Sequence, residues 1–86
     1  MRHARAEALD RLEPLLAKIR RHAALEERSR GVFYRRSRAA LHFHEDPAGL
    51  FADLRKEGVW QRFAVDTPAE QATLLRELAS HLAAER

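Results

Sequence analysis

Two histidines, an aspartate and an arginine are the side chains of this sequence whose types and spacing could do chemistry. His42 and His44 are separated by one residue, and Asp53 and Arg62 follow later in the chain. Alternate side chains of a β-strand project from one face, so a His-x-His pair presents two imidazoles together. Imidazole nitrogens and a carboxylate are zinc ligands, whereas a carboxylate between histidine and arginine also forms cross-strand ion pairs.

Strands and tight turns are needed to bring these residues together. Four strands are predicted, each bounded by turn residues: Val32–Arg36, Ala39–Glu45, Leu50–Lys56 and Val59–Val65. The turns between them are predicted at residues 37–38, 46–49 and 57–58. Proline and glycine in the second turn and Glu-Gly in the third are typical of such connections.

A helix is predicted at each end of the chain. Leucine, isoleucine and alanine recur at three- and four-residue steps over residues 4–27, with Pro14 expected to kink or restart that helix. Gly31 should end the segment, because glycine enters the left-handed region freely. Thr67, followed by proline and then Glu70, is a capping box that starts a second helix reaching residue 84.

These elements predict an α+β fold, a two-layer sandwich. Its sheet is a four-stranded antiparallel meander with both terminal helices on one face, in the order α-β-β-β-β-α. The length of 86 residues indicates a single domain over residues 1–86.

The predicted turns place Phe33, His42, Asp53 and Arg62 in one row across the open sheet face. The favoured interpretation is a structural ladder in which Asp53 raises the pKa of His42 and His44 faces Phe51, away from the acid. No cofactor is then expected. The alternative is a zinc site formed by His42, His44 and Asp53, with a position open for water. The other histidines, His3, His22 and His81, are interpreted as surface residues.

The open face also carries aromatic residues, which favours a non-enzymatic role in binding or assembly. Large aromatics and arginines are typical of interface hot spots, and a homodimer is the simplest partner. The predicted interface residues are Phe33, Phe51, Arg55, Trp60 and Arg62. No nucleophile in a catalytic setting or glycine-rich phosphate loop is evident, so no enzymatic activity is predicted.

Arginines gather between the first helix and the first strands. They are Arg28, Arg30, Arg35, Arg36 and Arg38. This cluster predicts, as a further alternative, weak nucleic-acid binding, although the net charge is only +3.

The composition excludes several classes of protein. The absence of cysteine excludes disulfides, thiol nucleophiles and thiolate metal sites. No apolar run approaches the ~20 residues of a membrane span and no signal peptide is visible, so a cytoplasmic protein is expected.

The stretch LHFHEDPAGLFADLR, residues 41–55, resembles the core of a small uncharacterised bacterial family with an α+β fold. This resemblance implies no activity. The helix–meander–helix order is also similar to the architecture of frataxins. Frataxins use an acidic ridge for iron, whereas the first helix here is rich in arginine, so this second resemblance implies architecture alone.

Overall fold

The structure is a computed structural model, and it describes residues 2–84. In chain order the elements are β1 (Arg2–His3), α1 (Ala6–Ile19), β2 (Glu26–Ser29), β3 (Val32–Arg35), β4 (Arg38–Asp46), β5 (Gly49–Lys56), β6 (Val59–Ala64) and α2 (Pro68–Ala84). The predicted α+β class, with a helix at each end and an antiparallel sheet, is confirmed. The prediction of four strands is wrong, because β1 and β2 extend the described sheet to six.

The sheet is built on β4, the longest strand. The strand order is β2-β3-β4-β5-β6, and β1 pairs with β4 outside this path. Val32 of β3 pairs with His42, and His3 of β1 pairs with His44. The strands β1 and β3 therefore occupy successive stretches of the same edge of β4.

The predicted registers of β4, β5 and β6 are confirmed. His42 pairs with Asp53, Asp53 pairs with Arg62, and Arg55 pairs with Trp60. The turn before β6 has φ of 52° at Glu57 and 79° at Gly58, the left-handed values that a tight hairpin requires. Local turn chemistry thus sets which side chains share a face.

The predicted position of Phe33 in the polar row is wrong. The turn before β4 lies at Arg36 and Ser37, one residue earlier than predicted, and a register shift follows between Phe33 and Tyr34. Phe33 consequently pairs with Leu41 instead of His42, and its side chain is 1% exposed in the core. A change of register by one residue moves a side chain to the opposite sheet face, so Phe33 is removed from the predicted interface residues as well.

The first helix is shorter than predicted. It ends at Ile19, after which the backbone N–H groups of Arg20 and His22 donate to the carbonyls of Leu16 and Ile19. Pro14 lies within the helix and does not restart it. Gly31 is in the left-handed region as predicted, with φ of 79°, but it serves the β2–β3 turn and not a helix end.

Both helices contribute to one core on a single face of the sheet. The core residues are Ala8, Leu9, Leu12, Leu15, Leu16 and Ile19 of α1, Leu74 and Leu78 of α2, and the inward side chains Phe33, Leu41, Phe43, Leu50, Ala52, Leu54 and Val65. The predicted capping box of α2 is confirmed: Glu70 N–H donates to Thr67 Oγ1, and Thr67 N–H donates to Glu70 Oε1. Within the described residues, no helix has the length and apolar character that a membrane span needs.

The corrected position of Phe33 can be tested by truncation. Phe33→Ala should lower the free energy of unfolding by about 3–5 kcal/mol, because it leaves a cavity in a closed core. Phe51→Ala is the matched control, since Phe51 is half-buried on the opposite face. Urea denaturation should show a clearly smaller loss for Phe51→Ala, and equal losses would contradict the corrected register.

Candidate metal centre

Three histidines meet on the sheet face opposite the helices. His42 and His44 project from β4, whose intervening Phe43 is 2% exposed and points into the core. His3 pairs directly with His44 across the β1–β4 ladder. Antiparallel neighbours in register present their side chains on the same face, so β1 adds a third imidazole to the predicted pair.

The three imidazoles form a compact cluster. Each can offer one ring nitrogen such that all three nitrogens lie within 4.8 Å of one another. The ring of His3 is stacked on that of His44 with centroids 4.9 Å apart, and the rings of His42 and His44 meet edge to face at 4.7 Å. We call His3, His42 and His44 the histidine cluster.

Two nitrogens of the histidine cluster are buried without a hydrogen bond. They are His42 Nδ1 and His44 Nε2, for which residues 2–84 supply no hydrogen-bond partner. Asp53 Oδ2 lies 3.1 Å from His44 Nε2, which is an ion-pair distance, but the two are not in hydrogen-bonding geometry. Buried polar atoms are normally satisfied, so these two nitrogens mark the cluster as a site whose hydrogen-bonding capacity residues 2–84 leave unused.

The cross-strand pair of Asp53 and Arg62 borders the cluster. Arg62 Nε donates to Asp53 Oδ1 at 2.8 Å, and a terminal Arg62 nitrogen donates to Oδ2 at 2.9 Å. Asp53 is 7% exposed, and this bidentate contact lowers its pKa below the usual value for an aspartate. The carboxylate is therefore ionised and held in a fixed orientation beside the imidazoles.

The predicted rise in the pKa of His42 is wrong in direction. Burial lowers the pKa of His42, and the nearby His44 lowers it further, against a smaller opposing effect of Asp53. Asp53 is occupied by Arg62 and lies at ion-pair distance from His44, not from His42. Hence the neutral form of the His42 imidazole, the form that binds metals, is favoured in the folded protein.

Trp60 covers the histidine cluster on the side of β6. Its ring centroid lies 4.5 Å from that of His42, and the Arg55 guanidinium lies 5.9 Å from the Trp60 ring. Phe51 pairs with His44 on β5, as predicted. The remaining predicted interface residues thus surround the cluster on one continuous face.

The predicted nucleic-acid contacts do not form one basic surface. Arg28 pairs with Glu26 and lies over the ring of Tyr34, while Arg30 donates to Asp10 and Glu13. The other three, Arg35, Arg36 and Arg38, lie at the β3–β4 hairpin.

His3 is the site residue that sequence reasoning missed. It lies in a two-residue strand far from His42 in sequence, and no periodicity identifies so short a segment. The sequence shows a histidine at position 3, but only the tertiary fold shows that it lies beside His44.

Comparisons with protein-family models, with curated proteins and with solved structures find no match to this chain. The resemblance of residues 41–55 to a bacterial family stays a prediction.

The lowered pKa of His42 predicts how stability depends on pH without metal. Since the folded pKa lies below the ordinary value of 6.5, the unfolded chain takes up this proton first as the pH falls. The free energy of unfolding should therefore decrease on acidification below about pH 6.5 and stop decreasing, for this group, below the folded pKa. His42→Gln should reduce that decrease.

Thermal unfolding in the presence of a chelator between pH 7.5 and 5.5 measures this effect. In that pH window Asp53 and the glutamates with lowered pKa values stay ionised, so their contributions to the free energy of unfolding do not change. Phe51→Ala, which changes the same sheet face without removing a titratable group, is the control and should keep the wild-type pH dependence. The same pH dependence in His42→Gln as in wild type would contradict the assignment.

Proposed function

We propose that this protein binds a divalent transition metal, with zinc as the first choice, through His3, His42 and His44. The observation that carries the proposal is the convergence of three imidazoles, with their nitrogens within 4.8 Å of one another, from two paired strands. Zinc accepts three imidazole ligands readily and leaves a fourth position for water or another ligand.

The distances within the histidine cluster suit a metal after small side-chain rotations. Ligand nitrogens about 2.0 Å from a tetrahedral zinc ion lie roughly 3.3 Å from one another. His3 is exposed and lies at the end of a two-residue strand, so its ring has room to close the remaining gap. His42 and His44 are fixed by the core packing of Phe43 between them.

Asp53 is better suited to orient a ligand than to be one. Both of its oxygens accept hydrogen bonds from Arg62, so ligation would break a bidentate contact. Its Oδ2 lies 3.1 Å from His44 Nε2, so a small rotation of the imidazole would let Oδ2 accept that N–H while the other nitrogen of His44 binds the metal. Because both of its oxygens accept from Arg62, Asp53 is not available as a general base beside the cluster. The proposed function is therefore metal binding without catalysis.

Zinc titration tests the histidine cluster directly. Zinc should raise the melting temperature of the wild-type protein by about 10–20 °C when its free concentration exceeds the Kd about a hundredfold. The rise should be larger at pH 8 than at pH 6, because protons compete for the imidazoles. His3→Ala should abolish most of it.

His3→Ala is the informative variant because His3 is exposed and outside the core. His22→Ala is the matched control and should respond to zinc like wild type. Full zinc stabilisation of His3→Ala with the same stoichiometry would overturn the three-histidine site, as would no heat of binding in the wild-type protein by calorimetry.

A second candidate function, self-association as a homodimer, is favoured by the exposure of β6. This strand is an edge of the sheet, and its first two residues, Val59 and Trp60, are 67% and 42% exposed. An edge strand presents unpaired backbone groups that a second copy of the chain can satisfy. We propose antiparallel pairing of two β6 strands, which would cover both apolar side chains.

Light scattering at about 100 μM should then give twice the monomer mass, and Val59→Lys should give a monomer, since a charge on an edge strand opposes pairing. Ser80→Lys adds the same charge to an exposed position of α2 and should leave the dimer intact. A monomeric wild-type protein at this concentration would contradict the assembly proposal and leave the metal proposal untouched.

A further inference from the structure

A cavity of about 500 Å³ lies beside the histidine cluster, on the side of β3. His3 and His42 belong to its lining, whereas His44 and Trp60 are not among the described residues that line it. We call it the β3 cavity. It is therefore a space next to the histidine cluster that Trp60, on the side of β6, does not cover.

The β3 cavity arises because two short strands share one edge of β4. The strand β1 ends with the pair of His3 and His44, and β3 begins with the pair of Val32 and His42. Phe43 lies between these two pairs and has no cross-strand partner in either β1 or β3. A gap consequently opens between the two strands, next to two of the three imidazoles.

The floor of the β3 cavity is formed by the hydrophobic core. Leu9 of α1 and Phe43 of β4 line it, and both belong to the core. Gly31 brings the β2–β3 turn against this floor, since its φ is 79° and a Cβ at this position would lie 2.7 Å from Leu9 Cδ2. Val32 and Ala39 add apolar residues to the lining. Such a lining favours a ligand with an apolar body.

A metal in the histidine cluster would be the dominant positive charge at the β3 cavity. Apart from histidines, Arg30 is the one charged residue among the described residues of the lining, and its guanidinium donates to Asp10 at 2.7 Å and to Glu13 at 2.8 Å. Asp53, beside the cluster, is likewise paired with Arg62. A divalent ion held by neutral imidazoles keeps its charge, which favours an anionic group at its open position.

We propose that the β3 cavity binds a small organic acid with one carboxylate and an apolar body, whose carboxylate occupies the open position of the metal. This inference rests on the metal site proposed above. The ring of Tyr34 also lines the cavity and can pack against an aryl group, which favours an aromatic acid. A second charged group on the ligand would be buried beside apolar residues without a partner, so a single carboxylate is expected.

Calorimetric titration of the zinc-loaded full chain with phenylacetate tests the proposal, after the zinc affinity has been measured. Phenylacetate should bind at one molecule per chain and about tenfold or more tightly than acetate, which lacks the ring. It should exceed phenylacetamide by a similar factor, because the amide keeps the ring and loses the charge. Removal of the metal with a chelator should weaken phenylacetate binding at least about tenfold.

Ala39→Leu is the variant that narrows the β3 cavity without changing a residue of the histidine cluster. It should weaken phenylacetate binding about tenfold, because the larger side chain occupies space that the ring needs. The affinities for zinc and acetate should stay within twofold of wild type. Ala64→Leu is the matched control: Ala64 is also half-buried on a strand but is not among the described residues of the lining, and all three affinities should stay within twofold.

The outcomes separate this inference from the metal site. Zinc binding with phenylacetate no tighter than acetate, equal phenylacetate binding with and without metal, or an unchanged phenylacetate affinity in a folded Ala39→Leu would each overturn the organic-acid site alone. A wild-type protein that binds no zinc would overturn the metal site and this inference together. The comparison of the three ligands uses the wild-type protein, so it decides the matter even where Ala39→Leu fails to fold.

Discussion

The register of β4 against β5 is the constraint on which the rest of the structure depends. Because side chains alternate along a strand, the pairing of His42 with Asp53 places Leu41 and Phe43 under the helices. The same pairing places His42 and His44 on the opposite face. A shift by one residue would bury the imidazoles and expose the core, so folding stability and the histidine cluster rest on one register.

The pKa values on the open face depend on which side chain forms an ion pair with Asp53. Arg62 takes both carboxylate oxygens, which leaves His42 buried beside another imidazole without an acid of its own. A histidine in that setting loses affinity for protons, and this is the condition under which a cation such as zinc competes well. The pKa of His42 is therefore governed mainly by burial, while the ion pair of Asp53 with Arg62 stabilises the sheet beside it.

An element could be predicted from sequence where the residues that determine it lie close together in the chain. The turns at residues 46–49 and 57–58 and the capping box of Thr67 and Glu70 are local, and the elements they define are found as predicted. The turn at Arg36 and Ser37 lacks glycine although both residues have positive φ, and this unusual chemistry led to the wrong register for Phe33.

The strands β1 and β2 carried no local signal at all. They contain two and four residues, mostly exposed, and they are ordered by pairing with β4 and β3. The spacing of apolar residues predicted that the first helix continues to residue 27. In the structure the helix ends at Ile19, and residues 26–29 form β2, which pairs with β3. For this reason His42, His44 and Asp53 could be placed from sequence, whereas the contribution of His3 required the tertiary fold.

X-ray absorption at the zinc edge of the zinc-loaded protein is the measurement that tests the histidine cluster most directly. Three imidazole nitrogens at about 2.0 Å and one further light ligand are expected, with the loss of one imidazole in His3→Ala. A shell of six oxygens, or a spectrum that His3→Ala leaves unchanged, would contradict it.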